Sequence, residues 1–252
     1  MTPVGVLLWV AVPYAAAAAF VVGHIWRYRY DKFGWTTRSS QIYESKLLRW
    51  GSPMFHIGIL MVIAGHVVGL LIPREWLYAI GISEHIYHLG ATWMGSIAAV
   101  LTLVGLVILV YRRRMTGAVL LATTAMDKVM YAFLGATLLF GTIATFMFQV
   151  LGPGYEYRGT ISPWLRSLIV FQPQPELMEA VPVMFQLHVL CAMALFMLWP
   201  FTRLVHVFSA PVGYLFRPYI VYRSRDEQQG SRQKRRGWES IETPDPDKLR
   251  RL

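Results

Sequence analysis

Four histidines lie in or beside long apolar segments, and they are the residues of this sequence best suited to carrying chemistry. Two occur in each of two segments: His56 and His66, then His188 and His206. Ionisable side chains are costly at membrane depth and usually mark a functional site there. Neutral imidazole is a strong ligand for iron, and helical bundles build cofactor sites from side chains that face one another. The pattern therefore predicts two haems, each held between two histidines.

Depth in the membrane indicates which histidines form a pair. If the two segments cross in opposite directions, His66 and His188 lie near one face and His56 and His206 near the other. The match is imperfect, because ten residues of helix rise about 15 Å and eighteen rise about 27 Å. Different helix tilts and a kink at Pro200 are expected to absorb the difference. We therefore predict an outer pair, His66 with His188, and an inner pair, His56 with His206.

The chain has a single cysteine, Cys191, which lies in an apolar segment. One cysteine excludes an internal disulfide, a cysteine-ligated iron–sulfur cluster, a CxxC redox pair and a CxxCH haem attachment. Any redox centre in this chain must therefore be held without thiolates.

The histidines must be positioned by helices that cross a membrane. A span needs about 20 mostly apolar residues. Five stretches qualify: 1–26, 53–72, 91–111, 129–151 and 180–202, the last continuing to about residue 208. Backbone in contact with lipid must satisfy its own hydrogen bonds, so the predicted fold is all-α, an integral membrane bundle of five transmembrane helices. We expect residues 1–26 to be a retained span, since a signal peptide needs a basic start and a short apolar core.

The composition agrees with a cell-membrane protein and predicts its orientation. Of the 252 residues, 55% are hydrophobic and only 15% are charged, yet the net charge is +10. Basic residues separated by long apolar segments do not form a nucleic-acid-binding surface. All but Arg74, Arg158 and Arg166 of the 24 lysines and arginines fall on one side of the predicted bundle. Because basic loops stay cytoplasmic, we place the N-terminus outside and the C-terminus in the cytoplasm.

The chain is predicted to have two parts. Residues 1–222 form the predicted membrane domain, and residues 223–252 form a polar, basic cytoplasmic tail. Such a tail cannot bury a core, so it is either solvated or a docking segment for a cytoplasmic partner or anionic lipid. The loop 152–179 is rich in glycine and proline. We expect it to lie on the membrane surface, with Trp164 and Phe171 at the interface.

Four sequence segments, two of which contain the four histidines, resemble those of a known family. They read RYRYDKFGWTTRSSQ, MFHIGILMVIAGHVVGLLIP, LATTAMDK and LHVLCAMALFMLWPFTRLVHVFSAPVGYLFRPY. Taken together they resemble the gamma subunit, a cytochrome b, of respiratory nitrate reductases. The resemblance extends over about residues 5–225 and covers the five spans, their orientation and all four histidines.

The resemblance implies an oxidoreductase subunit without catalytic residues for nitrate reduction itself. Such subunits oxidise a quinol, here menaquinol or ubiquinol, near the outer haem and pass electrons inward through two b-type haems. An iron–sulfur beta subunit then delivers the electrons to a molybdenum-containing alpha subunit, which reduces nitrate in the cytoplasm. By position, His66 and His188 would ligate the outer haem and His56 and His206 the inner one. Gly65 and His66 would border the quinol pocket.

Two other functions stay open at the level of the sequence. One is the dihaem anchor of another respiratory complex, of the sulfur-metabolising or succinate–quinone type. The other is a haem-free transporter or anchor, against which the paired histidines and the lack of an internal repeat argue. A lysine that the family can show after the second span has no counterpart here. His85 and His88 are candidates to replace it as proton acceptor, and ordinary loop histidines are the alternative.

Overall fold

The computed structural model describes residues 2–31, 33–35, 39–209 and 216. Within them the chain is helical and contains no strand. Five helices are long and apolar enough to cross a membrane, and we call them the first to fifth spans: Pro3–Tyr30, Lys46–Leu71, Glu84–Met115, Ala125–Val150 and Val183–Phe201. The predicted all-α bundle of five spans is confirmed. The tail 223–252 and the expected boundary at residue 222 lie outside the described residues.

The spans pack in neighbouring pairs. The second span packs most extensively against the third, the fourth against the fifth, and the first also against the fifth. Glycines allow the second and third spans to approach closely. A Cβ on Gly51 would lie 2.8 Å from Ile108, and one on Gly58 or Gly105 would collide with the facing backbone. Small residues bring helix backbones together in this way within membranes.

Side-chain caps fix where the third and fourth spans begin. Ser83 accepts a hydrogen bond from the backbone N–H of Ile86 at 3.4 Å, at the start of the third span. At the start of the fourth, the N–H of Asp127 donates to Thr124 Oγ1 at 3.2 Å, and the N–H of Thr124 donates to the Asp127 carboxylate at 3.0 Å. These bonds satisfy N–H groups that the first turn of a helix leaves without partners.

The second span ends in a π-helical turn, Val67–Leu71, directly after His66. A helix end leaves backbone carbonyls without hydrogen-bond donors, and here polar side chains from a later segment donate to them. Ser162 donates to the carbonyl of Gly69 at 2.8 Å. Arg166 donates to that of Leu70 at 3.1 Å, and Arg158 to that of Ile72 at 3.2 Å. The segment that follows His66 is therefore held by the loop between the fourth and fifth spans.

That loop contains a short amphipathic helix, Ile161–Ile169, which packs inward. Trp164 is only 1% exposed. Its indole N–H donates to the Trp9 carbonyl at 3.0 Å, and the two rings meet edge to face at 5.9 Å. Trp164 is therefore buried in the protein, where its ring completes the cluster at this end of the bundle, whereas Phe171 is exposed. The expectation that both lie at the membrane interface stays a prediction.

The fifth span is interrupted instead of continuing to residue 208 as expected. Its α-helix is Val183–Leu198, followed by a 3-10 turn, Trp199–Phe201. Thr202 is extended, with φ −113° and ψ 178°, and a second 3-10 turn, Arg203–Val205, precedes the short helix His206–Ser209. Pro200 lacks the N–H that an α-helix requires. His206 is therefore not tied to the helical face that carries His188.

Candidate functional site

The structure brings the four histidines together in two pairs. The ring centroids of His66 and His188 lie 5.9 Å apart with the rings tilted by 32°. Those of His56 and His206 lie 6.0 Å apart with a tilt of 72°. A metal ion about 2 Å from one nitrogen of each ring would place the centroids about 6 Å apart. Each pair thus has the spacing of two axial ligands, although ligation itself stays a prediction.

All four imidazoles are held in the same tautomer by backbone carbonyls. His56 Nδ1 lies 2.7 Å from the carbonyl oxygen of Ser52, and His66 Nδ1 lies 2.7 Å from that of Val62. His188 Nδ1 lies 2.8 Å from the carbonyl oxygen of Thr137, and His206 Nδ1 lies 2.7 Å from that of Arg203. Because a carbonyl only accepts, Nδ1 carries the proton and Nε2 keeps its lone pair. No described residue forms a hydrogen bond with any of these four Nε2 atoms, which leaves each available to a metal.

Each pair offers two imidazoles, and this number can be compared with what a metal ion or a cofactor needs. Within residues 2–209, as far as they are described, no three His, Cys, Asp or Glu side chains form a group that could hold a metal. A zinc site takes three or four protein ligands. Haem brings four nitrogens of its own and needs only axial ligands from the protein. Two imidazoles at each position therefore fit haem.

Three glycines flank the ligands of the second span, and they differ in what they face. A Cβ on Gly58 would collide with Thr102, and one on Gly69 would lie 2.8 Å from the Tyr87 hydroxyl oxygen. Both glycines therefore serve helix packing. A Cβ on Gly65 would meet no atom within 4 Å. The position next to His66 thus borders open space, where a flat ligand could approach the helix.

His85 and His88 lie in the first two turns of the third span, not in a loop as expected. His88 Nε2 is 2.9 Å from Gln149 Oε1. Since an amide oxygen only accepts, His88 donates this bond. His85 is exposed and makes no side-chain hydrogen bond among the described residues. Of the two candidates, His85 therefore has its ring nitrogens available to a ligand.

A buried ion pair lies next to His206, and its arginine is one of the basic residues that indicate orientation in the sequence. Arg203 donates to both carboxylate oxygens of Asp127, at 2.8 and 2.6 Å. The side chains are 15% and 5% exposed, respectively. Burial alone would lower the pKa of Arg203, but the hydrogen bonds and charge of Asp127 raise it above its ordinary value. Asp127 is an acidic residue at the start of an apolar span, and this feature of the sequence could have predicted the ion pair.

A second arginine counted as a loop charge is also internal. Arg112 is 2% exposed and donates to the Glu44 carboxylate at 2.5 Å and to the Glu44 carbonyl at 2.6 Å. It also bonds to Ser40, so it ties residues 39–45 to the end of the third span. Burial would raise the pKa of Glu44, but the N–H of Leu47 and the Arg112 guanidinium outweigh it and lower that pKa.

Comparison with known proteins shows which family the chain resembles. The sequence profile of the nitrate reductase gamma subunit family matches residues 5–225. The chain is 44% identical to the nitrate reductase gamma chain of Bacillus subtilis over 221 residues, which are 88% of this chain and 99% of that one. It is 36% identical to the respiratory nitrate reductase 2 gamma chain of Escherichia coli over 214 residues, 84% of this chain and 94% of that one.

A longer relative also contains a region similar to this chain. The nitrate reductase-like protein NarX of Mycobacterium tuberculosis is 57% identical over 235 residues. The match covers 93% of this chain but only 36% of that protein, so this chain spans about a third of its length. With most of the sequence matched by the family profile and five helices able to cross a membrane, this chain is a multi-pass membrane protein that belongs to the nitrate reductase gamma subunit family.

Proposed function

We propose that this chain is the quinol-oxidising cytochrome b subunit of a respiratory nitrate reductase. His66 and His188 would hold one b-type haem, and His56 and His206 a second. The observation that carries the proposal is the arrangement of four imidazoles in two pairs, 5.9 and 6.0 Å between ring centroids, each with Nε2 available. Membership of the gamma subunit family favours nitrate reductase over a sulfur-metabolising or succinate–quinone complex.

The contribution of this chain is to hold and orient. When bound, the haems would supply the one-electron redox chemistry that no side chain here can supply. Each Nδ1–H bond to a carbonyl fixes the orientation of its imidazole and makes Nε2 a stronger ligand for a metal. Together these bonds prearrange the four imidazoles.

In this proposal electrons would pass from one pair to the other across the membrane. His56 and His66 are ten residues apart in one helix, which corresponds to about 15 Å along its axis. The distribution of lysine and arginine supports placing His66 and His188 near the outer face. Quinol oxidised there would release its protons outside, while electrons leave at the cytoplasmic face. An iron–sulfur beta subunit would receive them there and pass them to the molybdenum-containing alpha subunit for nitrate reduction.

The proposed quinol pocket borders Gly65 and His66. A Cβ on Gly65 would meet no atom within 4 Å, so this side of the second span leaves room for a ligand beside His66. His85, with no side-chain hydrogen bond among the described residues, is the better candidate to accept the quinol proton. His88 already donates to Gln149.

The decisive experiment is a reduced-minus-oxidised spectrum of the complex purified from its own membranes, with haem quantified per chain. We expect two b-type haems per copy of this chain, reduced by a quinol analogue and reoxidised by nitrate. A preparation without haem would support the haem-free anchor and overturn the proposal. Two haems that a quinol reduces but nitrate does not reoxidise would assign the chain to a different respiratory complex.

A further inference from the structure

His188 differs from the other three histidines in the source of its Nδ1 partner. His56 and His66 bond to carbonyls four residues earlier, and His206 to a carbonyl three residues earlier. His188 bonds to the carbonyl of Thr137, which is 51 residues away on the fourth span. The orientation of this one ring therefore depends on how two spans pack against each other.

One turn further along the fourth span, Gly141 makes room for the same ring. A Cβ added to Gly141 would lie 2.8 Å from both Cε1 and Nδ1 of His188. That is closer than carbon atoms approach in protein interiors, so any side chain here would push the ring away. Gly135, on the same span, provides the contrast: a Cβ there would meet no atom within 4 Å.

We propose that the fourth span, which supplies no haem ligand, positions His188 through the Thr137 carbonyl and Gly141. The carbonyl holds Nδ1–H, and the glycine lets the ring lie close enough to the fourth span for that bond to form. The position of this span thereby sets the direction of His188 Nε2 toward His66. The inference rests on the proposed haem-binding function. It makes Gly141 a positioning residue, and the backbone carbonyl at position 137 a positioning group, for one of the two haems only.

The hydroxyl group of Thr137 has no part in this arrangement. Its Oγ1 donates to the carbonyl of Phe133 at 2.8 Å, within the same helix. Thr137→Ala keeps the backbone carbonyl and removes only this local bond. It therefore separates a role of the carbonyl from a role of the side chain.

The test compares Gly141→Ala with Gly135→Ala in the purified complex. We expect Gly141→Ala to weaken haem retention at the His66–His188 site about 10–100-fold, as loss of a group that supports a metal ligand typically does. The residual haem should show a changed low-spin electron paramagnetic resonance signal and a shifted midpoint potential. The haem at His56–His206 should stay unchanged, and Gly135→Ala and Thr137→Ala should match the wild type at both sites.

A second measurement keeps the inference testable if Gly141→Ala accumulates poorly. In a His188→Ala background the ring is absent, so a Cβ at position 141 has nothing to displace. His188→Ala/Gly141→Ala should then equal His188→Ala in membrane level and in its remaining haem. The inference is overturned if the double variant is worse than His188→Ala, if Gly141→Ala affects both haems equally, or if it affects neither. A wild-type complex without haem would instead overturn the proposed function.

Discussion

The guanidinium of Arg203 forms two hydrogen bonds with the carboxylate of Asp127, at 2.8 and 2.6 Å, and thereby joins the start of the fourth span to the turn after the fifth. The carbonyl of the same arginine accepts the Nδ1–H of His206 at 2.7 Å. Asp127 also caps its own helix through Thr124. One carboxylate therefore stabilises both a helix end and the turn that presents a candidate haem ligand.

Asp127→Asn should destabilise the protein and disturb one haem selectively. The variant leaves a largely buried guanidinium without its counter-charge, at a cost of about 3 kcal/mol in free energy of unfolding, the lower end for breaking a buried ion pair. Glu156→Gln is the matched control, because Glu156 is 58% exposed in its pair with Arg74 and should cost less than about 1 kcal/mol. Denaturant titration in detergent measures both, and the spectrum should change at the His56–His206 haem. Equal effects of the two variants would contradict the role of the pair.

Single-histidine variants should lose haem according to the ring pairs. We expect His66→Ala and His188→Ala to remove the same haem, and His56→Ala and His206→Ala to remove the other. The physical reason is that a haem with one axial imidazole missing is held weakly, while the second pair is untouched. Low-temperature difference spectra and haem quantification distinguish the two. Joint loss of one haem in His56→Ala and His188→Ala would show that the pairing is wrong.

Gly65→Ala and Gly58→Ala should change different properties of the protein. A Cβ at Gly65 meets no atom, so we expect wild-type stability and haem content but a raised KM for quinol, because the methyl group enters the proposed pocket. A Cβ at Gly58 collides with Thr102, so we expect a loss of about 1–3 kcal/mol in stability, typical of overpacking. Nitrate reduction measured at increasing quinol concentration gives the KM of Gly65→Ala, and thermal unfolding gives the stability of Gly58→Ala. An unchanged KM in Gly65→Ala would argue against a pocket at this position.

Acid should weaken the attachment of residues 39–45 through Glu44. The N–H of Leu47 and the Arg112 guanidinium hold the pKa of Glu44 below its ordinary value of 4.5, although burial opposes them. The ionised group therefore stabilises the fold above about pH 4.5, and this stabilisation disappears as the pH falls through the folded-state pKa. Thermal midpoints between about pH 3 and 7 should fall more steeply for the wild type than for Glu44→Gln. Glu179→Gln, at an exposed position, should follow the wild-type curve, and parallel curves for all three would refute the effect.

His85→Ala should slow quinol oxidation more than His88→Ala does. His85 has no side-chain hydrogen bond among the described residues, whereas His88 donates to Gln149. We expect a lower kcat and an altered pH profile for His85→Ala, with both haem spectra unchanged. Partial recovery in His85→Lys would support proton transfer as its role. Wild-type turnover in His85→Ala would remove His85 as the proton acceptor.

The sequence by itself determined the number of spans, the class of fold and the family. Apolar length is a local property of the chain, because a helix must cross the hydrocarbon with its own backbone bonds satisfied. The positions of His56, His66, His188 and His206 could therefore be read as depths along two spans. The pairs predicted in this way are the ones that lie about 6 Å apart between ring centroids.

Only the tertiary structure decided which face of each helix meets which neighbour. Gly58 and Gly65 are seven residues apart and indistinguishable in the sequence, yet one packs against Thr102 and the other borders open space. The bond from His188 to Thr137 and the pair of Arg203 with Asp127 likewise join different parts of the chain. Helix rotation is set by contacts between spans, and hydropathy along the chain contains no information about it.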